Sequence, residues 1–498
     1  MPTTTLALQS VPGMYSGMDQ EMTMGMQMAR DLSLLAPEIA VLLTAVGALV
    51  LEMLRVGRAA LPFTVIGLAV ATVLTIPLLG EQTSVFMNTF RVDAVSGWAK
   101  LALLPATALC AVLARAEPSV RDTDREGTFY ALFPLTAVGA LALAGAGDMM
   151  FVVLGVLLSS LGSFALVAYP RDDRATEAAM KYLVFGSVST AVMIFGLTFF
   201  FGATGSTLLA DLSALSGMPL PAALGLLAVI VGLGYKASIA PFHFWAPDAY
   251  DGAPVSVAAF LSIVPKVGAI LALARITLEL PEELMGAFGW SLVVGALAAL
   301  TMTYGNLAAL VQDNPVRLLA YSSIAQSGYF LLGVVVIGRA ELAVPALVVF
   351  AAAYAAMNLG AFAVLAHARL KATEAGRTDR QPASLSDLSG LGRAAPWAGA
   401  AMVVFLVSLV GVPPLGGFVG KLLLFGAAID GGFTWLAVIG ILNSVLSLGV
   451  YLRVVVPMYE RPKEAPLSAP PAAWVWALAL FLTVGIGVAA QLILGGIG

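Results

Sequence analysis

Apolar residues in this chain come in long blocks, not in the short alternating patterns of a water-facing fold. Blocks of about 20 such residues, the length a helix needs to cross a bilayer, recur near 33–53, 61–80, 92–114, 128–146, 149–169, 180–202 and 221–246. They continue near 254–279, 286–311, 317–337, 342–367, 397–429, 431–457 and 472–495. The pattern predicts an all-α polytopic membrane protein of about fourteen transmembrane helices. Two blocks are interrupted. Block 221–246 carries Pro241; block 397–429 is too long for one straight span and holds Pro413, Pro414, Gly416 and Gly417 in its middle. Such residues cannot all sit in a regular helix, so spans seven and twelve are expected to be broken.

Composition agrees with a bilayer environment: 60% of the 498 residues are hydrophobic and 11% are charged. The single cysteine, Cys110, excludes an intrachain disulfide and a cysteine-held iron–sulfur cluster. Two histidines, His243 and His367, argue against haem or a histidine-rich metal site. No stretch reads as a strand, so no dinucleotide-binding fingerprint is expected, and GGFVGKL at 416–422 has the wrong glycine spacing for a phosphate loop. The expected surroundings are lipid and protein, with no nucleic acid partner. The methionine-rich start, GMYSGMDQEMTMGMQMARD, lacks the basic head and apolar core of a cleaved signal and reads as a polar extension.

Basic residues then set an orientation. Sixteen arginines and lysines fall in loops after odd-numbered spans, against three (Arg91, Arg275 and Arg339) after even-numbered ones. The positive-inside rule makes the odd loops cytoplasmic, the 368–396 loop included, and puts both termini outside.

Of the six remaining basic residues, Arg30 precedes the first span, and Lys100 and Lys181 lie within snorkelling reach of helix ends. Lys236, Lys266 and Lys421 do not. Lys266 is roughly 18 Å of helix from either end of its span. One lysine at such depth can be a packing device satisfied by a carbonyl. Three, two of them beside helix breaks, point to an ion path. Desolvation disfavours the charged form of an amine, which a proton relay exploits, and His243, seven residues after Lys236, would extend it. Alone, His243 reads equally well as an interfacial histidine.

The broken spans stand five helices apart, which suggests two inverted five-helix units with a site at mid-membrane. The expected division is 1–31 extension, 32–127 helices one to three, 128–280 and 281–458 the two units, and 459–498 the last helix.

Four stretches carry a family resemblance: YKASIAPFHFWAPDAYDGAPVSVAAFLSIVPKVGA, NLAALVQDNPVRLLAYSSIAQSGY, SLSDLSGLG and FLVSLVGVPPLGGFVGKLLLF. From about Leu32 to the C-terminus the chain resembles the antiporter-like membrane subunits of respiratory complex I, and within them the subunit N branch. The resemblance implies a subunit of the proton-translocating NADH:quinone oxidoreductase, seated among other membrane subunits in a bacterial-type inner membrane. It implies no redox cofactor in this chain, with NADH, FMN, iron–sulfur clusters and quinone handled elsewhere in the complex. It makes Lys236 the central lysine of the seventh helix and Lys266 its partner. His243 falls on the connecting axis, Lys181 at the start of the sixth helix, and Lys421 at the outlet-side break. Two positions depart from the family: Leu157 stands where a fifth-helix glutamate is usual, and Gln326 where relatives often carry histidine. A cation/proton antiporter of the same fold, or a structural subunit that has lost pumping, are the competing readings.

Overall fold

The apolar blocks are helices in the computed structural model, which describes residues 25–115, 117, 120, 125–285, 289–370, 383–461, 466–468 and 470–495. The methionine-rich stretch 1–24 and residues 371–382 of the basic 368–396 loop lie outside the described residues. In chain order the helices are α1 (Ala36–Met53), α2 (Ala60–Thr75), α3 (Ala94–Ala114), α4 (Glu126–Ala144), α5 (Met149–Ala168), α6 (Asp173–Thr204), α7 (Pro219–Lys236) and α8 (Trp245–Gly252). They continue as α9 (Val255–Leu278), α10 (Trp290–Leu310), α11 (Pro315–Val335), α12 (Ala343–His367), α13 (Pro396–Val410), α14 (Gly416–Asp430), α15 (Thr434–Tyr459) and α16 (Pro470–Gly495). Helices α7 and α8 are the two halves of the seventh span, and α13 and α14 of the twelfth. Fourteen spans result, twelve of which contain a helix long and apolar enough to cross a bilayer by itself.

Short polar side chains set where helices begin. Asp93, Asp148, Asp172 and Asn314 each accept backbone N–H groups at the heads of α3, α5, α6 and α11, taking up donors the first helical turn leaves free. Asp172 starts α6 seven residues earlier than hydropathy alone suggests. Gly411, at φ +97°, ends α13 in a left-handed conformation that favours glycine.

Packing repeats between the halves. Helix α4 lies on α5 as α10 lies on α11, α6 on α7 as α12 on α13, and α4 on α9 as α10 on α15. The fold is two inverted five-helix repeats with broken seventh and twelfth spans. At its centre α9 is buried along its whole length, with α11 and α12 nearly so, while α1, α2 and α6 present broad apolar faces outward. Two small ribbons were not expected from the sequence. Strand β1 (Thr83–Val85) pairs antiparallel with β2 (Phe90–Val92), and β3 (Ala368–Leu370) with β4 (Pro466–Ser468). Three residues are too few for a periodicity signal, and both ribbons lie in connections between spans.

Polar contacts sort the connections into two ends. Helix ends flanking the connections after odd spans meet through Arg317–Asp248 (2.7 Å), Arg453–Asp313 (2.8 Å) and the Glu52 carboxylate, which accepts the Gly127 amide. Connections after even spans meet through Arg91–Glu279 (2.6 Å) and the Arg339 guanidinium, which donates to the Met285 carbonyl.

Two ion pairs with buried cations tie α1 to α3 and α3 to the first repeat. Lys100 does not snorkel: it is 1% exposed and lies 2.7 Å from Glu38 on α1. The facing carboxylate gives its charge a local partner, so the side chain has no need to reach water. Arg275, counted above as a loop residue, is inside α9 and 4% exposed. It grips Asp93 with both terminal nitrogens (2.9 and 2.7 Å) and donates from Nε to the Ala144 carbonyl. One side chain thereby ties α9 to α3 and α4. Removing one member of a buried pair strands the other, at about 3–5 kcal/mol, whereas replacing both with apolar groups is close to neutral. Arg275→Met should therefore lower the thermal unfolding midpoint of the detergent-solubilised protein, and adding Asp93→Asn, which removes the stranded charge but keeps a capping side chain at the head of α3, should recover most of it. Equal midpoints for Arg275→Met and the parent would show that the clamp contributes nothing.

Candidate functional site

Span seven stops being helical at Lys236, and α8 resumes at Trp245. The turn between them is buried at Ser238, Ile239, Ala240 and His243, and neighbouring helices satisfy its backbone. Thr301 on α10 accepts the Ala240 amide (3.1 Å), Ser327 on α11 donates to the Ala237 carbonyl (2.6 Å), and Trp245 Nε1 donates to the Tyr235 carbonyl (2.8 Å). Span twelve breaks at 411–415. There Lys421, just past the break, folds its amine back onto the last carbonyls of α13, Leu409 (2.8 Å) and Val410 (3.1 Å). The C-terminal end of a helix carries partial negative charge, so the amine sits where a cation is favoured.

All three intramembrane lysines are 1–2% exposed. Among the described residues none has a carboxylate within ion-pair distance. Lys236 donates to Ser160 Oγ on α5 (3.0 Å) and more weakly to the Tyr182 hydroxyl on α6 (3.4 Å). Lys266 donates to the Ser323 carbonyl (2.7 Å) and to the Ser323 hydroxyl. Lys421 also reaches Ser444 Oγ (3.2 Å) and lies 3.8 Å over the ring of Tyr329, a cation–π arrangement.

Helix α11 contributes to several of these contacts. Its Ser323 holds Lys266, and Ser327, one turn on, holds the span-seven break. Gln326 donates to the same Leu409 carbonyl that accepts Lys421 (3.2 Å), and Ser322 pairs with the Tyr451 hydroxyl (2.6 Å). Tyr354 of α12 adds to these contacts, pairing with Ser323 Oγ (2.9 Å) and donating to the Ser262 carbonyl (3.0 Å). Helix α11 thus contacts the span-seven break, Lys266 and the carbonyl that holds Lys421, while the Lys236 amine itself is held from α5 and α6. Of these α11 partners only Gln326 was singled out from the sequence, as a departure from the family; Ser322, Ser323 and Ser327 were not. The signal was present: AYSSIAQSGY places polar residues at 322, 323, 326 and 327, the spacing of one helix face.

The other two candidates stand apart from these three lysines. His243 is buried in the span-seven break, its ring 4.5 Å from that of Tyr304 and 4.7 Å from that of Phe244. Its Nδ1 has no hydrogen bond among the described residues. Lys181 is partly exposed at one end of the bundle, paired with Glu177 (2.8 Å) and Asp248 (2.9 Å). Asp248 is shared with Arg317 (2.7 Å), so two cations meet one carboxylate there. Leu157 turns its side chain to the outer flank of α5, 39% exposed, and Ser160, one turn on, takes the lysine.

A fold of fourteen spans with two breaks, each beside a buried lysine, can now be set against known proteins. The family described as NADH:quinone oxidoreductase/Mrp antiporter, transmembrane, matches residues 146–447. The chain belongs to this family. The chain is similar to NADH-quinone oxidoreductase subunit N of a Mycobacterium species, 40% identical over 85% of this chain and 87% of that one. Subunit N 1 of Streptomyces griseus is 39% identical over 95% and 99%. A chain of respiratory complex I from Thermus thermophilus superposes with a TM-score of 0.78 at 31% identity, covering 92% of this chain and 98% of that one. A chain of the Mrp complex from a Dietzia species, at 21% identity and a TM-score of 0.79, shares the fold.

The outward Leu157 and the Ser160 contact give a test. Residues three apart on a helix are neighbours, so a glutamate at 157 lies within reach of the amine that Ser160 holds, and an opposite charge favours the charged form. Leu157→Glu should shift the pH profile of coupled turnover in the assembled complex to higher pH. Leu157→Gln, polar but uncharged, should leave it in place. Identical profiles for both variants and the parent would mean that position 157 is electrostatically separate from Lys236.

Proposed function

We propose that this chain is a proton-translocating subunit, of the N type, of an NADH:quinone oxidoreductase, with redox chemistry confined to other subunits. The observation that carries the reading is three buried lysines, each held by hydroxyl or carbonyl groups and none, among the described residues, by a carboxylate, with two of them beside the helix breaks and the third on the central helix α9. Lys236 serves as the central site, Lys266 as its partner and Lys421 as the site on the outlet side. His243 lies on the connecting axis in the first break, and Lys181 at one mouth of the path. The two units at 128–280 and 281–458 each contribute a break, with 32–127 and 459–498 as flanking helices and 1–31 as an extension. NADH, FMN, iron–sulfur clusters and quinone belong to the surrounding complex.

The reading of a structural subunit without pumping accounts less well for these lysines. A buried polar group without a partner costs roughly 1–3 kcal/mol and charged ones more. Three amines and their hydroxyls therefore make an expensive way to pack helices in lipid. Methionine keeps the aliphatic stem of lysine and removes the amine. Lys266→Met and Lys421→Met should each lower protons translocated per electron in the assembled complex without loss of its yield. Full coupling in both would make these lysines packing residues and end the relay reading.

The orientation proposed is odd loops inside and both termini outside, in a bacterial-type inner membrane, on the sixteen-to-three partition of basic residues. Cys110 is buried, so an introduced cysteine reports alone. A membrane-impermeant thiol reagent added to intact cells should label Met87→Cys, on the hairpin between spans two and three, and leave Ser386→Cys unlabelled. The reverse pattern would invert the topology.

A further inference from the structure

The amine of Lys421 is surrounded by acceptors. Its N–H groups meet the Leu409 and Val410 carbonyls at 2.8 and 3.1 Å and Ser444 Oγ at 3.2 Å. Another side is closed by the ring of Tyr329, whose centroid lies 3.8 Å from Nζ, well inside the roughly 6 Å reach of a cation–π contact. The stem lies against Gly411, where a Cβ would come within 3.0 Å of Lys421 Cδ.

Hydroxyl directions complete the pattern. Ser444 donates to the Tyr329 hydroxyl (3.1 Å), which donates in turn to the Gly440 carbonyl (3.2 Å). Both hydroxyl protons therefore run away from the amine. What faces the amine is negative: two carbonyl oxygens, a hydroxyl lone pair and an aromatic face. An ammonium fits such a pocket. A neutral amine keeps only two N–H groups and would turn its lone pair onto an acceptor or the ring.

The helices around the amine bring no opposing charge to it among the described residues. Helix α14 packs on α11, α12, α13, α15 and α16, of which α13 and α16 contain no titratable side chain. Tyr354 of α12 is bonded to Ser262 and Ser323, and Tyr451 of α15 to Ser322 and Gln326. Arg317 and Arg453 are taken by Asp248 and Asp313, and His367 stands edge-on to Trp476. Asp430 is nine residues further along α14, roughly 14 Å of helix.

We propose that Tyr329 is a positioning residue for Lys421: its ring face, and the hydroxyl bond it accepts from Ser444, make this pocket select the ammonium form. The inference rests on the relay reading above. Tyr329 takes at Lys421 the part that Glu38 takes at Lys100, without bringing a second charge into the bundle.

The test is the pH dependence of protons translocated per electron in the assembled complex. Tyr329→Leu removes the ring face, and Tyr329→Phe keeps it and loses the hydroxyl. Increasingly fluorinated phenylalanines at position 329 keep nearly the same shape while draining negative charge from the face. With the face gone the amine gives up its proton at lower pH. The alkaline limb of the profile should therefore move to lower pH by about one unit in Tyr329→Leu, roughly tenfold in proton affinity. It should move stepwise in the same direction as fluorine is added to the Tyr329→Phe ring. A packing role for Tyr329 would leave the limb in place across the fluorinated series, and that series decides if Tyr329→Leu does not assemble. If Lys421→Met is impaired while the ring variants keep the parent's profile, the proposal is overturned and the relay reading stands. If Lys421→Met pumps as the parent does at every pH, the relay reading fails and takes the proposal with it.

Discussion

A transmembrane helix can be interrupted only where protein, not lipid, satisfies the backbone groups the interruption sets free. Two interruptions in one chain make that requirement the organising constraint of this fold. In span seven the exposed groups are taken by Thr301, Ser327 and Trp245, from α10, α11 and α8. In span twelve they are taken by Lys421 and by Ser408, whose hydroxyl accepts the Gly417 amide at 3.1 Å. The satisfying groups come from α8, α10, α11, α13 and α14, so both breaks lie against protein and not lipid. Helix α11 serves both needs: Ser327 closes the first break, Ser323 one turn away holds Lys266, and Gln326 donates to the Leu409 carbonyl at the second.

The architecture was largely legible in the sequence because lipid imposes a simple grammar. Fourteen apolar blocks, Pro241 and the Pro413–Gly417 cluster were sufficient for fourteen spans and two breaks. Lys236, Lys266 and Lys421 were legible for the complementary reason, since a charge in a block of apolar residues stands out. What the sequence concealed was partnership. Lys100 looked like Lys181, a lysine near a helix end. Only the facing of α1 and α3 distinguishes a buried pair with Glu38 from a partly exposed pair with Asp248. Serines and tyrosines on α11 and α12 were missed because hydroxyls are common in membrane helices and cost little when bonded to their own backbone. Ser323 and Ser327 acquire meaning only from Lys266 and Ala237, 57 and 90 residues away in sequence.

The means by which this chain holds its lysines bears on what they can do. A carboxylate 4 Å from an ammonium is worth about 4 kcal/mol at an effective dielectric constant near 20, close to a thousandfold in proton affinity. A hydrogen bond from a charged group to a neutral acceptor is worth about 1.5–3 kcal/mol, and much of that survives when the amine becomes neutral and accepts instead. Hydroxyls, unlike carboxylates, can serve both protonation states. Ser160, Tyr182 and Ser323 are therefore partners to an amine that must change state, whereas Glu38 and Asp93 are partners to cations that must not. The same chain uses both kinds, and the division follows position. Carboxylates pair with Lys100 and Arg275, where α1 meets α3 and α3 meets α9. Hydroxyls and helix-end carbonyls surround the amines at mid-membrane, beside the breaks.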